Sequence, residues 1–458
     1  TGTKPNDTTE TQAIQDLFGP RAASIPVTSV KGLLGHMLGA AGSVELAVSV
    51  LSLLHGTIPP TGNLQSQDPE CPLDIVTSPR TLPLACVLSN SAGFGGCNAA
   101  VVVETCQTSD VGKPSPADRA GVPNARRPVV ITGLGAICAL GADAAEIKAA
   151  LAEGEPALFP LARAALPERA EPPLAGEAPN PDLAACGVAP KPYLDRASQL
   201  FLAACGMAFR RAGLDAAKLS TMDAGLLCGT TWGCMETAEA FFADYILKGP
   251  RLVKPFLFPH AYSNTAASLA AIEWSLKGPH ENAASPATAS GFALVEAFDL
   301  IRSGRATLLA AGGCDALSAT RLRAEAAAGN SAPAGEAAAV LILEDGESAA
   351  ARGAVPLGHL LGCGLAPDAG GALSAAFEQA GCTPDTVSAV YLNGAAEKSP
   401  FKPAPAARVI RPDPLCGRLA GAASALHAAL ALLDPNDGPT LVLTADSDNW
   451  IALIVARA

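Results

Sequence analysis

Short β-branched or leucine-rich runs alternate with alanine-rich stretches along most of the chain. The strand-length runs are Ala99–Val103, Val129–Ile131, Ala224–Leu227, Leu308–Ala311, Ala339–Leu343, Ala389–Leu392 and Thr440–Thr444. Ala197–Ala212 and Gly291–Ile301 lie between them with the length and composition of helices. Such alternation predicts a layered α/β architecture. The longest candidate membrane run, Leu46–Leu54, has nine residues, follows Glu45 and contains two serines. It is expected to be a buried helix, so no membrane span is predicted.

The rhythm stops between Thr105 and Pro128, where Ser, Pro, Asp, Lys and Arg replace the apolar periodicity. This stretch reads as an exposed linker. The chain also repeats itself. Gly35–Ala47, GHMLGAAGSVELA, returns as Gly417–Ala429, GRLAGAASALHAA, at an offset of 382 positions. A second echo relates Asn98–Val103 to Asn449–Ile454 in the same order, which argues for duplication. The expected organisation is an incomplete unit at 1–105, a linker at 106–127 and a whole but shortened unit at 128–458.

Composition narrows the function. A length of 458 residues suggests about two to four domains. At 49% hydrophobic and 16% charged, the chain can bury a large core. A net charge of −12 and only 4% aromatics disfavour nucleic acid as a partner. The thirteen cysteines are odd in number and show no C-x-x-C spacing. No metal site or disulfide framework is therefore expected, and a reducing cytoplasm is. No secretory signal is read at the N-terminus.

The chemistry concentrates in Val27–His36, VTSVKGLLGH, followed by Gly39-Ala40-Ala41-Gly42 and Glu45. A cation, Lys31, and an imidazole, His36, stand five residues apart on a glycine-rich turn before an apolar helix. One reading is a capping turn with an exposed lysine and a packed histidine. The other is a site where a neutral imidazole donates a hydrogen bond to a developing oxyanion.

This block resembles the K-x-x-x-G-H-x-x-G-A-A-G element of β-ketoacyl synthases. Thr1-Gly2-Thr3 resembles the end of their H-G-T-G-T motif, and Ser89–Asn98, SNSAGFGGCN, resembles their C-terminal S-N-S-F-G-F-G-G-x-N loop. The resemblance implies a thiolase-like fold of two similar α/β/α halves, normally dimeric. It also implies decarboxylative Claisen condensation between an enzyme-bound acyl thioester and malonyl on an acyl carrier protein. The phosphopantetheine arm then belongs to the carrier, and the chain itself binds no cofactor. Carried over by position, His36 and Lys31 are catalytic, Glu45 supports Lys31, and Thr1, Thr3 and Phe94 meet the phosphopantetheine arm and acyl chain. The nucleophilic cysteine and the first histidine of the family have no counterpart in 1–105. This region is expected to be inactive alone and to need the missing N-terminal half or a partner synthase chain. Thr1 opens the chain inside a motif, so a fragment or processed piece is expected.

The second unit resembles the same family. Pro128–Cys138, PVVITGLGAIC, looks like its N-terminal strand and turn. A dinucleotide fingerprint fails here, because Cys138 takes the third glycine position. Ser285–Gly291, SPATASG, resembles the nucleophile segment, with Thr288 where the cysteine belongs. Asn393 replaces the first histidine, Asp413 the lysine and Arg418 the second histidine, so all four positions read as non-catalytic. A threonine hydroxyl needs an adjacent base, and none is evident in the sequence. The C-terminal loop has shrunk to Asp446-Ser447-Asp448-Asn449. The resemblance is to ketosynthase/chain-length-factor pairs of polyketide, polyene and fatty acid assembly. There the inactive partner completes a pseudo-dimer, and the small residues Ala287, Thr288, Ala289 and Gly291 are expected to leave room for a long chain. Two alternatives stand beside this reading: a non-enzymatic thiolase-fold scaffold, and an ordinary fatty-acid elongating synthase.

Overall fold

The computed structural model describes residues 2–105, 127–164, 166, 171–435 and 438–458. Thr1 and residues 106–126, which include nearly all of the expected linker, lie outside the described residues. The chain forms two compact units, Thr1–Arg119 and Ala120–Ala458.

The first unit has two long helices, α1 (Lys4–Phe18) and α2 (Ala41–His55), and an antiparallel hairpin of β1 (Cys86–Ala92) and β2 (Asn98–Glu104). Helix α2 packs on β1, where Gly42 approaches Ser91 so closely that an added Cβ would lie 3.1 Å from its hydroxyl. Apolar residues of this arrangement remain open to solvent. Leu51 and Leu54 on α2, and Val101 and Val102 on β2, are all exposed. The expectation that every apolar run is too short to span a membrane is corrected here. The helical window Leu38–His55 is long and apolar enough by length and composition, because the turn before Glu45 joins the run after it. Its counterpart in the second unit is packed differently.

The second unit is built on β3 (Val129–Cys138), β4 (Ala224–Thr230), β5 (His280–Ala284), β6 (Leu308–Asp315), β7 (Ala337–Asp345), β8 (Gly358–Ala366), β9 (Ala389–Leu392), β10 (Arg408–Ile410), β11 (Thr440–Ala445) and β12 (Trp450–Arg457). These form one ten-stranded sheet in the order β5-β4-β6-β7-β3-β8-β12-β11-β9-β10. From either end inward, the first three strands are parallel and the next two join antiparallel. The order and direction of β3–β7 thus recur in β8–β12, which makes the unit two copies of one five-stranded half.

Helices follow the same duplication. Helix α3 (Arg196–Arg211) corresponds to α6 (Ala369–Ala380), and α5 (Ala289–Arg302) to α7 (Ala423–Leu433), while α4 (Met235–Lys248) decorates the first half. Helices α5 and α7 share one core with residues of both halves, among them Leu309, Leu341, Val442 and Leu453. Helix α3 covers the outer face of the first half and α6 that of the second. The layers therefore run helix, sheet, paired helices, sheet, helix, which is the expected thiolase-like α/β class. Helix α7 is buried from Ala423 to Leu432, whereas α2, its repeat, is largely uncovered.

Candidate active site

The two copies of the repeat fold alike, turn by turn. Lys31–Leu34 forms one helical turn ended by Gly35 at φ 81°, and Asp413–Cys416 forms one ended by Gly417 at φ 80°. Leu38 and Ala420 then take the same positive φ, 53° and 47°, before α2 and α7 begin. A left-handed non-glycine residue carries strain, and its presence at one register in both copies marks a common backbone path.

In the first unit this path carries charge and an imidazole. The Lys31 ammonium donates to the Glu45 carboxylate on α2, and both side chains are mostly buried. Asn63 donates to the Gly32 carbonyl at 2.7 Å, and Thr28 to the Pro59 carbonyl at 2.7 Å, which fixes the turn against the neighbouring loop. His36 is exposed, and its Nδ1 accepts the Leu38 amide at 3.0 Å. An Nδ1 that accepts leaves the proton of the neutral ring on Nε2, which becomes a donor. Thr3 occupies the N-cap position of α1, and Phe94 opens the turn between β1 and β2 with about half its surface exposed. The structure thus joins Lys31 to Glu45, holds His36 beside them in sequence, and sets Phe94 on the hairpin that packs on α2.

The second unit holds a different network. Thr288, at the N-terminus of α5, is wholly buried and donates to the Asp446 carboxylate. The reading that no base stands beside Thr288 is corrected: the shortened Asp446–Asn449 loop brings a carboxylate onto the hydroxyl. Ser285 Oγ lies 3.2 Å from Thr288 Oγ1. Asn393 donates to the Ala445 carbonyl at 2.9 Å and accepts the amides of Ala445 and Ala396 at 3.1 and 3.0 Å. Arg418 pairs with Glu325. Asp413 accepts the Gly394 amide at 3.0 Å through one oxygen, while the other is buried without a partner. Burial, only partly countered by that amide and by Arg418, pushes its carboxyl up to about 6. Nor is there room for an acyl chain beside Ala289 and Gly291. A Cβ at Gly229 would fall 2.1 Å from the Ala289 backbone, and one at Gly291 would fall 2.8 Å from Ile451 and Ser424. Their small size serves close packing.

Asp446 and Asp315 escaped the sequence reading. Asp315, at the end of β6, is fully buried and accepts from the Thr230 hydroxyl and from the amides of Thr231, Trp232 and Gly421. Burial raises its carboxyl above the usual range despite these donors. The only hints were an acidic residue closing a Gly-Gly-Cys-Asp strand end, and an Asp-Ser-Asp-Asn turn that suits Asx geometry. The described cysteines other than Cys97 are free thiols, and no group of three metal-binding side chains is found among the described residues.

Comparison with known proteins agrees with this architecture. Residues 1–65 match the family model of the β-ketoacyl synthase C-terminal domain, and residues 126–349 that of the β-ketoacyl synthase N-terminal domain. The chain is 46% identical over 109 residues to the actinorhodin polyketide putative β-ketoacyl synthase 1 of Streptomyces coelicolor, covering 24% of this chain and 23% of that protein. It is 43% identical over 108 residues to the 3-oxoacyl-[acyl-carrier-protein] synthase 2 of Synechocystis sp., covering 23% of this chain and 26% of that protein. The chain thus spans about a quarter of the length of these curated relatives. Among solved structures, the PfaC ketosynthase–chain length factor superposes with a TM-score of 0.80 at 16% identity, over 100% of this chain and 56% of that one. The ishigamide ketosynthase/chain length factor superposes at 0.65 and 24% identity, over 73% of this chain and 100% of that one. With both domain signatures present and the thiolase layering in its sheet, the chain belongs to the β-ketoacyl synthase family.

Proposed function

We propose that the first unit is the rear half of a condensing synthase that joins acyl and malonyl thioesters on an acyl carrier protein, and that the second is its non-catalytic, length-influencing partner. The observation that carries this reading is the Leu38 amide donating to Nδ1 of the exposed His36, which leaves the Nε2–H of the neutral ring as the donor, five residues after the Glu45-paired Lys31. That proton donates to the malonyl thioester oxygen. The bond to the carboxylate breaks, carbon dioxide leaves, and its electron pair stays on the thioester as an enolate. The enolate carbon attacks the acyl thioester held on a cysteine of the N-terminal half, and that thiolate departs. Lys31, anchored by Glu45, keeps a fixed positive charge near the developing anion. Thr1, Thr3 and Phe94 are the candidate contacts to the phosphopantetheine arm and acyl chain. Thr288, Asn393, Asp413 and Arg418 take no part in turnover.

Two open faces suit the partners. The exposed apolar residues of α2 and β2 suit an N-terminal half, since the second unit buries the repeated helix under just such a half. On the second unit, α4 exposes Phe242, Tyr245, Ile246 and Leu247. The segment after α4 is tied through Ser263 to Asn282 on β5, whose outer edge is unpaired. An exposed apolar helix face and an open parallel edge in the same half suit a second thiolase-fold unit, and length control then acts from this half.

The test is a full-length synthase assembled with its N-terminal half. His36→Ala should cut carrier-bound condensation product about 100- to 1,000-fold, as expected for loss of one oxyanion donor. Thr288→Ala should leave condensation substantially intact. A folded Thr288→Ala variant without any turnover would overturn the assignment.

A further inference from the structure

We propose that Thr288 and Asn393, at the nucleophile and first-histidine positions of the second unit, have become a clasp that shuts this site. Both side chains bond to the end of β11 or the residue after it. Asn393 takes the carbonyl and the amide of Ala445, and Thr288 takes the carboxylate of the next residue, Asp446. The other oxygen of Asp446 accepts the amides of Asp448 and Asn449 at 2.9 and 2.8 Å, so the carboxylate is held within its own turn. The result is a β11–β12 turn pinned across the N-terminus of α5, where a substrate thioester would otherwise meet the nucleophile.

A rival use of the same atoms is a working dyad, with Asp446 as base and Thr288 as nucleophile. Burial decides against it. Thr288 has no exposed surface, Asn393 only 5%, and Ser290 and Asp315 none, so no reactant reaches the hydroxyl. Every donor and acceptor of the Asn393 amide used here goes to backbone, which positions chain and leaves nothing pointed at a substrate. The clasp also accounts for the shortened loop: four residues, Asp446–Asn449, suffice once Asp446 supplies both its turn and its anchor. The inference holds whichever reaction the first unit supports.

Two variants of the full chain test it. In Thr288→Cys, peptide-resolved mass spectrometry should show iodoacetamide alkylating Cys at this position at least about 100-fold more slowly in the native protein than in urea, as for a site reached only by local opening. Alkylation of the native protein within a few-fold of the unfolded rate would overturn the clasp. In Thr288→Val, loss of a hydrogen bond to a carboxylate should speed amide exchange at Asp448 and Asn449 about tenfold or more. Thr288→Ser should exchange like the parent, and α3 should be unchanged in both. Parent-like exchange in Thr288→Val would likewise overturn it. If that variant melts outright, the cysteine variant decides alone.

Discussion

Residues 45 and 427 occupy one register in two copies of the same helix, and the difference between them is chemical. Glu45 has Lys31 to pair with, whereas His427 lies fully buried with neither ring nitrogen bonded. At the place of Lys31 stands Asp413, also with an unpartnered oxygen. Burial alone drives the His427 imidazole from its usual 6.5 down to about 3. A folded-state value below the unfolded one means the stability it permits is complete above about pH 6.5 and drains as pH falls toward 3, by an amount on the order of 5 kcal/mol. His427→Leu should therefore shift acid unfolding to lower pH and raise Tm at pH 5 more than at pH 8. Circular dichroism melts across pH check this, and an unchanged acid limb would refute it. Legibility at this scale followed chain proximity. Lys31, His36 and Glu45 lie within fifteen residues and share a motif, so the sequence displays them together. The Thr288–Asp446 bond spans 158 positions and obeys no spacing rule, so only the folded chain reveals it.

Among elements, strands β3, β4, β6, β7, β9 and β11 were plain as apolar runs because both faces are buried. Strand β5, His-Glu-Asn-Ala-Ala, was invisible, since an edge strand with partly exposed faces needs no apolar run. Helix α5 was recognised, but its small residues were misread as space for a chain when they are contact surfaces. The Gly229–Ala289 and Gly291–Ile451 approaches leave no void to fill. Ala289→Phe should then behave as an overpacked core, costing about 1–3 kcal/mol or more and lowering Tm by several degrees. Product length in any surviving fraction should be unchanged. A stable Ala289→Phe variant that makes shorter products would restore the tunnel reading.

For the whole molecule, the apolar face of α4 is the place to break an assembly without touching a core. Phe242→Asp with Ile246→Asp puts two charges on exposed positions, where a monomer loses little and a desolvated interface loses several kcal/mol. The expected outcome is an unchanged melt of the second unit with a lower native mass by light scattering. An undiminished mass would show that no partner docks there. The ten-stranded sheet also has a second open edge, and the two ends are treated differently. Strand β10 is only three residues long and is bracketed by Arg408 and Arg411, paired with Asp434 and Glu397. A short strand studded with ion pairs is a poor template for another strand. Strand β5, with an unpaired outer edge among the described residues, leaves room for addition, while β10 refuses it. A molecule sticky at one end alone closes into a pair and stops, whereas one sticky at both would grow into a filament. The ion-paired arginines of β10 thus act as a stop on edge-to-edge growth, and neutralising them should leave this end open to strand addition.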